Sequence, residues 1–299
     1  MARVKSVFIF LFIFLASITA QNTSTIEADS VKLWTVRYLS ADNDTSLLYR
    51  SIINTVPADQ TMKKRTILVK ALKQLSTFHE SEGSLDSAIY FLNAVVNIQN
   101  EDDEAALAET YLSLKTLYGN KANYLAAQEQ VFTALEIYEK LGDQKGVALC
   151  YTHLCDLLYY EDKYQESIDY CDRAINIQQS LKEKIDLALS YQYKASSQLF
   201  ADSPLDSALN NINRAIDIYS ELGENGVPLL ASINGRGNIL KYMERYSSAL
   251  ADYQEVYRRS EEMGLERYTI PALGNIGHVY TLEKNYSEAL PYFLRAIER

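Results

Sequence analysis

Apolar and polar positions alternate along most of this chain with the spacing of amphipathic helices. Small and apolar residues recur at intervals of four and seven, for example at Ala289, Phe293 and Ala296. This spacing is the stripe that one face of an α-helix presents to a core. Glycine and polar residues interrupt the stripes at short intervals, as turns do. The pattern predicts an all-α chain in which twelve helices follow one another from about residue 62 onward.

The predicted helices repeat in pairs of constant length. A small residue stands near the start of every second helix, and we use it as the marker of each repeat. Successive markers are 39, 40, 41, 41 and 40 residues apart. They are Ala88, Ala127, Ser167, Ala208, Ala249 and Ala289. Twelve residues before each marker, in the first helix of the pair, stand Ser76, Lys115, Cys155, Ser196, Gly237 and Gly277. Five of these six are small, so we expect each to face its marker and let the paired helices approach closely. A fixed period of this size is typical of a solenoid.

The sequence of the last pair is similar to a known repeat. It reads Gly-His-Val-Tyr at residues 277–280 and Tyr-Ser-Glu-Ala-Leu-Pro-Tyr-Phe-Leu-Arg-Ala-Ile at residues 286–297, which resembles the tetratricopeptide repeat (TPR). The resemblance covers about residues 66–299 and implies a right-handed α-solenoid of antiparallel helix pairs, with about six units and a short helical N-terminal cap. The period is near 40 residues rather than about 34, as in kinesin light chains and bacterial peptide-sensing regulators. The signature Trp and Pro are missing, and the residues of a carboxylate clamp are not reproduced.

The first 20 residues have the layout of a secretory signal. Arg3 and Lys5 precede an apolar run over residues 7–18, and a small residue stands before Gln21. We therefore expect export to the periplasm or to the extracytoplasmic face of the inner membrane. The Ala-Gln junction resembles exported proteins of Bacteroidetes-type bacteria. A permanent anchor is the alternative, although the run is shorter than the roughly 20 residues of a spanning helix.

The predicted organisation continues from this signal to the end of the chain. Residues 21–61 are predicted to form a lead-in with two capping helices around Trp34. The predicted repeats then cover about residues 62–102, 103–143, 144–183, 184–225, 226–265 and 266–299. The last repeat ends at Arg299 without a polar cap, although a terminal repeat normally carries one. We therefore expect the natural chain to continue.

Charge and motif content argue for binding rather than catalysis. The formal net charge is −10, and removal of Arg3 and Lys5 with the signal changes it to −12, which disfavours direct nucleic-acid binding. No metal-ligand motif, phosphate-binding glycine loop or nucleophile motif is present. We therefore expect no enzyme activity in residues 1–299, and no cofactor or metal.

The three cysteines all stand in the third repeat, at Cys150, Cys155 and Cys171. We interpret Cys155 and Cys171 as small buried core residues. A disulfide between them is disfavoured, because their phases differ by about one helical turn and the bridge requires close Cα atoms. A zinc site that combines the three cysteines with His153 is a weaker alternative.

The TPR resemblance also implies where a partner binds. In this family the first helices line the concave wall, at positions that flank the small residue. The corresponding candidates here are Thr152, His153, Asp156, Tyr193, Lys194, Asn234, Asn238, Tyr242, Asn275 and His278. Asparagine side chains both donate and accept hydrogen bonds, which suits a peptide backbone in a groove. For any one of these residues, an ordinary solvated helix face is the alternative interpretation.

Two functional classes follow from these expectations. The first is a protein- or peptide-binding domain that forms the extracytoplasmic input region of a larger signalling protein, a sensor histidine kinase or a helix-turn-helix regulator. This class places the output domain, and any membrane attachment, beyond residue 299. The second is a freestanding periplasmic TPR scaffold for protein assembly or secretion.

Overall fold

Regular structure in the described part of the chain is entirely α-helical. A computed structural model describes residues 61–99 and 103–299, so the predicted signal, lead-in helices and Trp34 lie outside the described residues. The twelve helices, given in chain order, are α1 (Thr61–Ser81), α2 (Leu85–Ile98), α3 (Glu104–Asn120), α4 (Tyr124–Leu141), α5 (Gln144–Tyr160), α6 (Tyr164–Leu181), α7 (Lys184–Phe200), α8 (Leu205–Glu221), α9 (Val227–Tyr242), α10 (Tyr246–Glu262), α11 (Glu266–Leu282) and α12 (Tyr286–Ile297). The described residues therefore contain the twelve helices that the sequence pattern predicts from about residue 62 onward.

The helices form two compact units. The first unit ends at Lys121 and contains α1 to α3, and the second begins at Ala122 and contains α4 to α12. The division falls between the two helices of the predicted second repeat. Within each unit, consecutive helices pack against one another across short turns. The predicted all-α solenoid fold is therefore confirmed.

The small residues expected at the closest helix contacts are buried. All six phase markers are at most 2% exposed. In the first unit, the hydroxyl of Ser76 donates a hydrogen bond to the carbonyl oxygen of Ala88 at 2.9 Å. In the second unit, the hydroxyl of Ser167 donates to the carbonyl oxygen of Cys155 at 2.7 Å. These side chains reach the backbone of the paired helix, so the predicted close approach is confirmed at these two pairs.

Gly237 and Gly277 show why a side chain is excluded at this position. A Cβ atom on Gly237 would lie 2.7 Å from Cε1 of Tyr253, and one on Gly277 would lie 2.9 Å from Cε1 of Phe293. These distances are well inside normal carbon–carbon contact. The ring that stands four residues after the marker therefore occupies the space that a larger residue would need.

The prediction that Ser196 faces its marker is wrong by one residue. Ser196 is only partly buried, whereas Ser197 is fully buried and its hydroxyl lies 2.7 Å from that of Ser167. The turn between α7 and α8 has four residues, whereas the other turns inside a pair have three. The extra residue shifts the phase of α7 relative to its marker Ala208.

Local signals fix the helix ends. Gly142 ends α4 with a left-handed backbone, at φ 69°, which glycine adopts without steric cost. Asp143 then begins α5, because its carboxylate accepts hydrogen bonds from the backbone nitrogens of Lys145 and Gly146 at 3.0 and 3.1 Å. This cap satisfies two backbone donors that have no partner inside the helix.

In the second unit, the first helices of the pairs lie on the inner side of a bend. These helices are α5, α7, α9 and α11, and each contacts the next one in addition to its neighbours in sequence. The second helices of this unit, α4, α6, α8, α10 and α12, make no comparable contacts with each other in the described structure. Because the first helices are spaced more closely than the second helices, their free surface is concave. A partner in a groove would meet this surface.

Helix α12 leaves an apolar face uncovered. Leu290 is 57% exposed and Ile297 is 80% exposed. Phe293 is 37% exposed, whereas its equivalents in α8 and α10, Ile212 and Tyr253, are completely buried. In the inner pairs, this side of the second helix is covered by the first helix of the following pair.

None of the described helices has both the length and the apolar composition needed to cross a membrane.

Candidate functional site

Polar side chains join successive first helices of the second unit. Three hydrogen bonds make these links: Thr152 with Ser190 at 2.8 Å between α5 and α7, Ser232 to Gln192 at 2.7 Å between α9 and α7, and Asn275 to Asn234 at 3.1 Å between α11 and α9. Buried polar groups need such partners to offset their lost hydration. The links therefore hold the inner wall of the unit together, and they use several residues that the sequence assigned to a binding groove.

The assignment of Thr152 to the groove surface is corrected by its burial. Thr152 is completely buried. Its hydroxyl lies 3.0 Å from the carbonyl oxygen of Ala148 and accepts a hydrogen bond from the side-chain nitrogen of Gln178 at 3.0 Å. These partners belong to α5 and α6, so Thr152 stabilises the contact between helices and is not available to a ligand.

The three asparagines of the predicted cluster are held by internal hydrogen bonds. The side-chain nitrogen of Asn275 donates to the amide oxygen of Asn234. The amide oxygen of Asn238 accepts a hydrogen bond at 2.8 Å from the hydroxyl of Tyr253, which lies on α10. All three are partly buried. Each therefore has a structural role, and peptide binding by these residues stays a prediction.

The Lys194 side chain is held by a second helix. Its ammonium group lies 2.5 Å from a carboxylate oxygen of Asp172 on α6. The Lys194 side chain is 18% exposed and that of Asp172 is 48% exposed. The structure therefore places this cation at the contact between α6 and α7, where it neutralises an acidic residue of the protein itself.

Four side chains of the first helices lie within range of one another's charge, and we call this group the tyrosine recess: Asp156, Tyr160, Tyr193 and Tyr268. Burial is the main cause that raises the pKa of the Tyr193 phenol, and Asp156, Tyr160 and Tyr268 raise it further. Burial also raises the pKa of Tyr160, with added contributions from Asp156 and Tyr268. Groups that influence one another in this way lie close together.

The tyrosine recess is open to solvent although it is surrounded by protein. Tyr160 is 56% exposed and Tyr193 is partly exposed, yet desolvation is the first cause of both raised pKa values. Both residues lie on first helices, which form the inner side of the bend.

Three first helices contribute to the tyrosine recess. Asp156 and Tyr160 are four residues apart on α5, so they lie on one face of that helix. Tyr193 lies on α7, and Tyr268 lies in the first turn of α11. The sequence analysis missed Tyr268. It stands seven residues before Asn275 on the same helical stripe, so an extension of the predicted stripe by two turns would have found it.

The remaining predicted residues lie around this recess on the first helices. His153 is partly buried one turn before Asp156 on α5, and His278 is exposed on α11. Tyr242 is 56% exposed at the end of α9, and its ring centroid lies 6.2 Å from that of Phe200 in an edge-on arrangement. A role in binding for these residues stays a prediction.

A continuous strip of aromatic rings runs from the recess along the turn edge of the second unit. Neighbouring ring centroids in this strip are 5.3–6.2 Å apart, and the rings are those of Tyr124, Tyr160, Tyr159, Tyr164, Phe200 and Tyr242. Tyr160 belongs to both the strip and the recess, because its ring stacks on Tyr124 at 5.5 Å. Rigid exposed aromatic rings are the contact residues that interfaces favour.

The interpretation of Cys155 and Cys171 as separate thiols is wrong. The structure joins them in a disulfide between α5 and α6, with Cα atoms 5.4 Å apart. Cys171 stands one helical turn after Ser167, and Ser167 packs on Cys155. The small residues at this contact bring α5 and α6 close enough for the disulfide to span the distance of that turn. Cys150 remains a buried free thiol, and burial raises its pKa to about 12. A thiol in this state is unreactive.

Metal-ligating side chains do not cluster in the described residues. No group of three or more His, Cys, Asp or Glu residues there is arranged to hold a metal ion. The zinc site considered for the cysteines and His153 is overturned by the disulfide, because it uses two of the four ligands.

Comparisons with known proteins show which solved structures share this fold. Residues 228–299 match the family model described as tetratricopeptide repeat, and no curated protein sequence matches the chain. The solved Rap protein in complex with Competence and Sporulation Factor is 16% identical, with a TM-score of 0.65, over 92% of this chain and 77% of that one. Aspartyl phosphate phosphatase F from Bacillus subtilis is 12% identical, with a TM-score of 0.63, over 95% and 86% of the two chains.

A third similar structure belongs to a larger protein. It is a signal transduction ATPase with numerous domains and a tetratricopeptide repeat sensor, from Pyrococcus horikoshii. It is 15% identical, with a TM-score of 0.61, and the match covers 93% of this chain but only 43% of that one. At these identities the three structures establish a shared fold.

Proposed function

We propose that the second unit, whose residues 228–299 match the tetratricopeptide repeat model, binds a peptide or a peptide segment of a protein on the inner side of the first helices. The observation that carries this proposal is the close spacing of the first helices, which makes their free surface concave, together with the partly exposed tyrosines that α5, α7 and α11 place on it. Such side chains offer large contact area at a small cost in conformational entropy. The solved Rap protein with its bound factor supports the proposal by similarity of fold.

A finer proposal concerns the biological setting. We propose that this domain is the extracytoplasmic input region of a signalling protein, in which binding in the recess biases an output domain. The signal layout of residues 1–20 supports the location, and the similar structure that carries a repeat sensor supports the role. We propose that the segment acts by binding and not by catalysis. A freestanding periplasmic scaffold for protein assembly or secretion is the second candidate.

Peptide selection tests the binding proposal. Peptides from a displayed random library are selected on the purified protein, and their Kd is measured by fluorescence anisotropy. Tyr160→Ala should weaken binding at least tenfold, because it removes an exposed ring of the recess. The matched control is Tyr286→Ala, which removes a ring of 64% exposure from the second helix α12 and should leave Kd unchanged. Equal binding by both variants, or no selected peptide, would overturn the proposal.

Cell fractionation tests the finer proposal. An antibody to this domain should detect an extracytoplasmic species that lacks residues 1–20, and its intact mass separates the two candidates. A membrane-bound species well above the mass of residues 21–299 would support the input domain. A soluble species of that mass would support the scaffold, and a cytoplasmic species would contradict both.

A further inference from the structure

The aromatic strip along the turn edge of the second unit presents large rings to solvent. Its most exposed rings stand at the last residues of three successive first helices: Tyr160 ends α5, Phe200 ends α7 and Tyr242 ends α9. They are 56%, 46% and 56% exposed. Single exposed apolar residues are common, but a contiguous row of exposed rings marks a surface that contacts a partner.

Neighbouring rings of the strip are tilted against one another. Tyr159 and Tyr160 meet at 75°, with centroids 5.3 Å apart, and Phe200 and Tyr242 meet at 80°, with centroids 6.2 Å apart. Each of these pairs forms an aromatic corner. The strip is therefore corrugated, and it does not offer the continuous flat platform on which a sugar chain would stack.

The spacing of the two corners suits a polyproline II helix. This helix has three residues per turn and a rise of about 3.1 Å per residue, so every third side chain returns to the same side after about 9 Å. One ring step of 6.1 Å, between Tyr159 and Phe200, and half a step on either side separate the two corners. This path can accommodate one turn of the helix, with one proline in each corner.

Two lysines beside the strip already have partners within the protein. Lys163 pairs with Glu161 at 2.6 Å. The ammonium group of Lys241 lies 5.6 Å from the ring centroid of Tyr242, so the protein itself makes the cation contact of this ring. The exposed rings, rather than these cations, are therefore what the strip offers to a partner.

We propose that the aromatic strip binds a proline-rich segment of a partner protein in the polyproline II conformation, with prolines in the two corners. Such segments dock on aromatic-lined grooves at a low cost in conformational entropy, because the helix is already formed. Proline also has no backbone N–H, so these residues bring no donor that would lose its hydration against the rings. This inference goes beyond the proposed function, because the strip lies at the turn edge and shares only Tyr160 with the tyrosine recess.

Proline peptides of opposite chirality test this inference. Capped nonaproline made of L-residues carries a fluorescein label, and its Kd for the full chain is measured by fluorescence anisotropy. Nonaproline made of D-residues has the same composition but forms the mirror-image helix, and a Gly-Ser nonamer has no preferred helix. The L-peptide should bind at least fivefold more tightly than either of these. Equal binding of the L- and D-peptides would overturn the inference.

Variants at the second corner locate the site. Tyr242→Ala should weaken binding of the L-peptide at least fivefold, whereas Tyr242→Phe keeps the ring and should change Kd less than twofold. Phe200→Leu, which keeps apolar bulk but removes the ring, should also weaken binding. The matched control is Tyr90→Ala, which removes an equally exposed ring from the second helix α2 of the first unit and should leave Kd unchanged. Circular dichroism checks that each variant is folded, and equal Kd values for Tyr242→Ala and Tyr90→Ala would contradict the placement.

The outcomes also distinguish this inference from the proposed function. Tyr193 is not part of the strip, so Tyr193→Ala should leave the Kd of L-nonaproline unchanged. Failure of L-nonaproline to bind, while library-selected peptides still bind and lose affinity in Tyr160→Ala, would overturn the proline-rich partner and leave the proposed function intact. Full displacement of the L-peptide by uncharged oligosaccharides would assign the strip to a glycan and overturn the inference.

Discussion

Gly237→Ala tests the close packing on which the helix pairs depend. The added Cβ would lie 2.7 Å from Cε1 and 3.0 Å from Cδ1 of Tyr253, a ring that is completely buried on α10. The ring cannot retreat freely, because its hydroxyl donates a hydrogen bond to Asn238. Overpacking of this kind costs about 1–3 kcal/mol. Alanine also gains about 1 kcal/mol over glycine in a helix interior, so the net loss is about 0–2 kcal/mol.

A second glycine provides the control for this variant. Gly274 lies inside α11, and a Cβ there would meet nothing within 4 Å. Gly274→Ala should therefore stabilise the protein by about 1 kcal/mol, which is the helix-propensity term alone. The two variants should differ by about 1–3 kcal/mol in the free energy of unfolding, because the propensity term cancels and the overpacking cost remains.

Urea unfolding followed by circular dichroism measures this difference. The clash also predicts a coupling, so that Gly237→Ala should cost less when Tyr253→Val has removed the ring. If Gly237→Ala and Gly274→Ala stabilise the protein equally, the ring does not fill the space beside Gly237. The packing that we describe for the helix pairs would then be refuted.

Three further results are expected. Asn234→Ala should lower the free energy of unfolding by about 1 kcal/mol, as the loss of the hydrogen bond from Asn275 predicts, and an unchanged Tm would contradict a structural role. Reduction of the Cys155–Cys171 disulfide, which closes a 16-residue separation, should lower the free energy of unfolding by about 3 kcal/mol, measured by urea unfolding with and without dithiothreitol. Hydrogen bonds from two neighbouring arginines of α10 lower the pKa of Glu255 to about 2. Its stabilisation should be fully present above pH 4.5 and lost as pH falls toward 2, and Glu255→Gln should reduce the acid sensitivity of Tm.

The fold could be predicted because the signal is repeated many times. One amphipathic stripe is weak evidence, but six small markers in phase fix both the helix boundaries and the buried face. The glycines show the same logic, since Gly237 and Gly277 were expected at the closest contact and have no room for a side chain. The prediction that Ser196 faces its marker was wrong, because one extra residue in the turn places Ser197 at the buried position.

The candidate site was less accessible to sequence reasoning. The phase places Thr152 and Asn234 on the inner side of their helices, but it does not say whether a neighbouring helix uses their polar groups. Both form hydrogen bonds to the next first helix. The link between Cys155 and Cys171 was missed for a related reason, because the phase of a residue does not give the distance between helices.

The tyrosine recess depends on convergence in three dimensions. Asp156 and Tyr193 lie on adjacent first helices and were predicted as parts of the inner wall, and Tyr160 stands one turn after Asp156 on the same face of α5. Tyr268 comes from α11, more than 100 residues after Tyr160 in the chain. The influence of Tyr268 on Tyr193 depends on the bend of the second unit, and no local pattern in the sequence specifies that bend.

The most direct test is a crystal structure of the full chain with a library-selected peptide. We predict that the peptide contacts α5 and α7 on the inner side of the second unit, beside Tyr160 and Tyr193. A peptide bound along the second helices, or on the exposed face of α12, would contradict binding at the tyrosine recess.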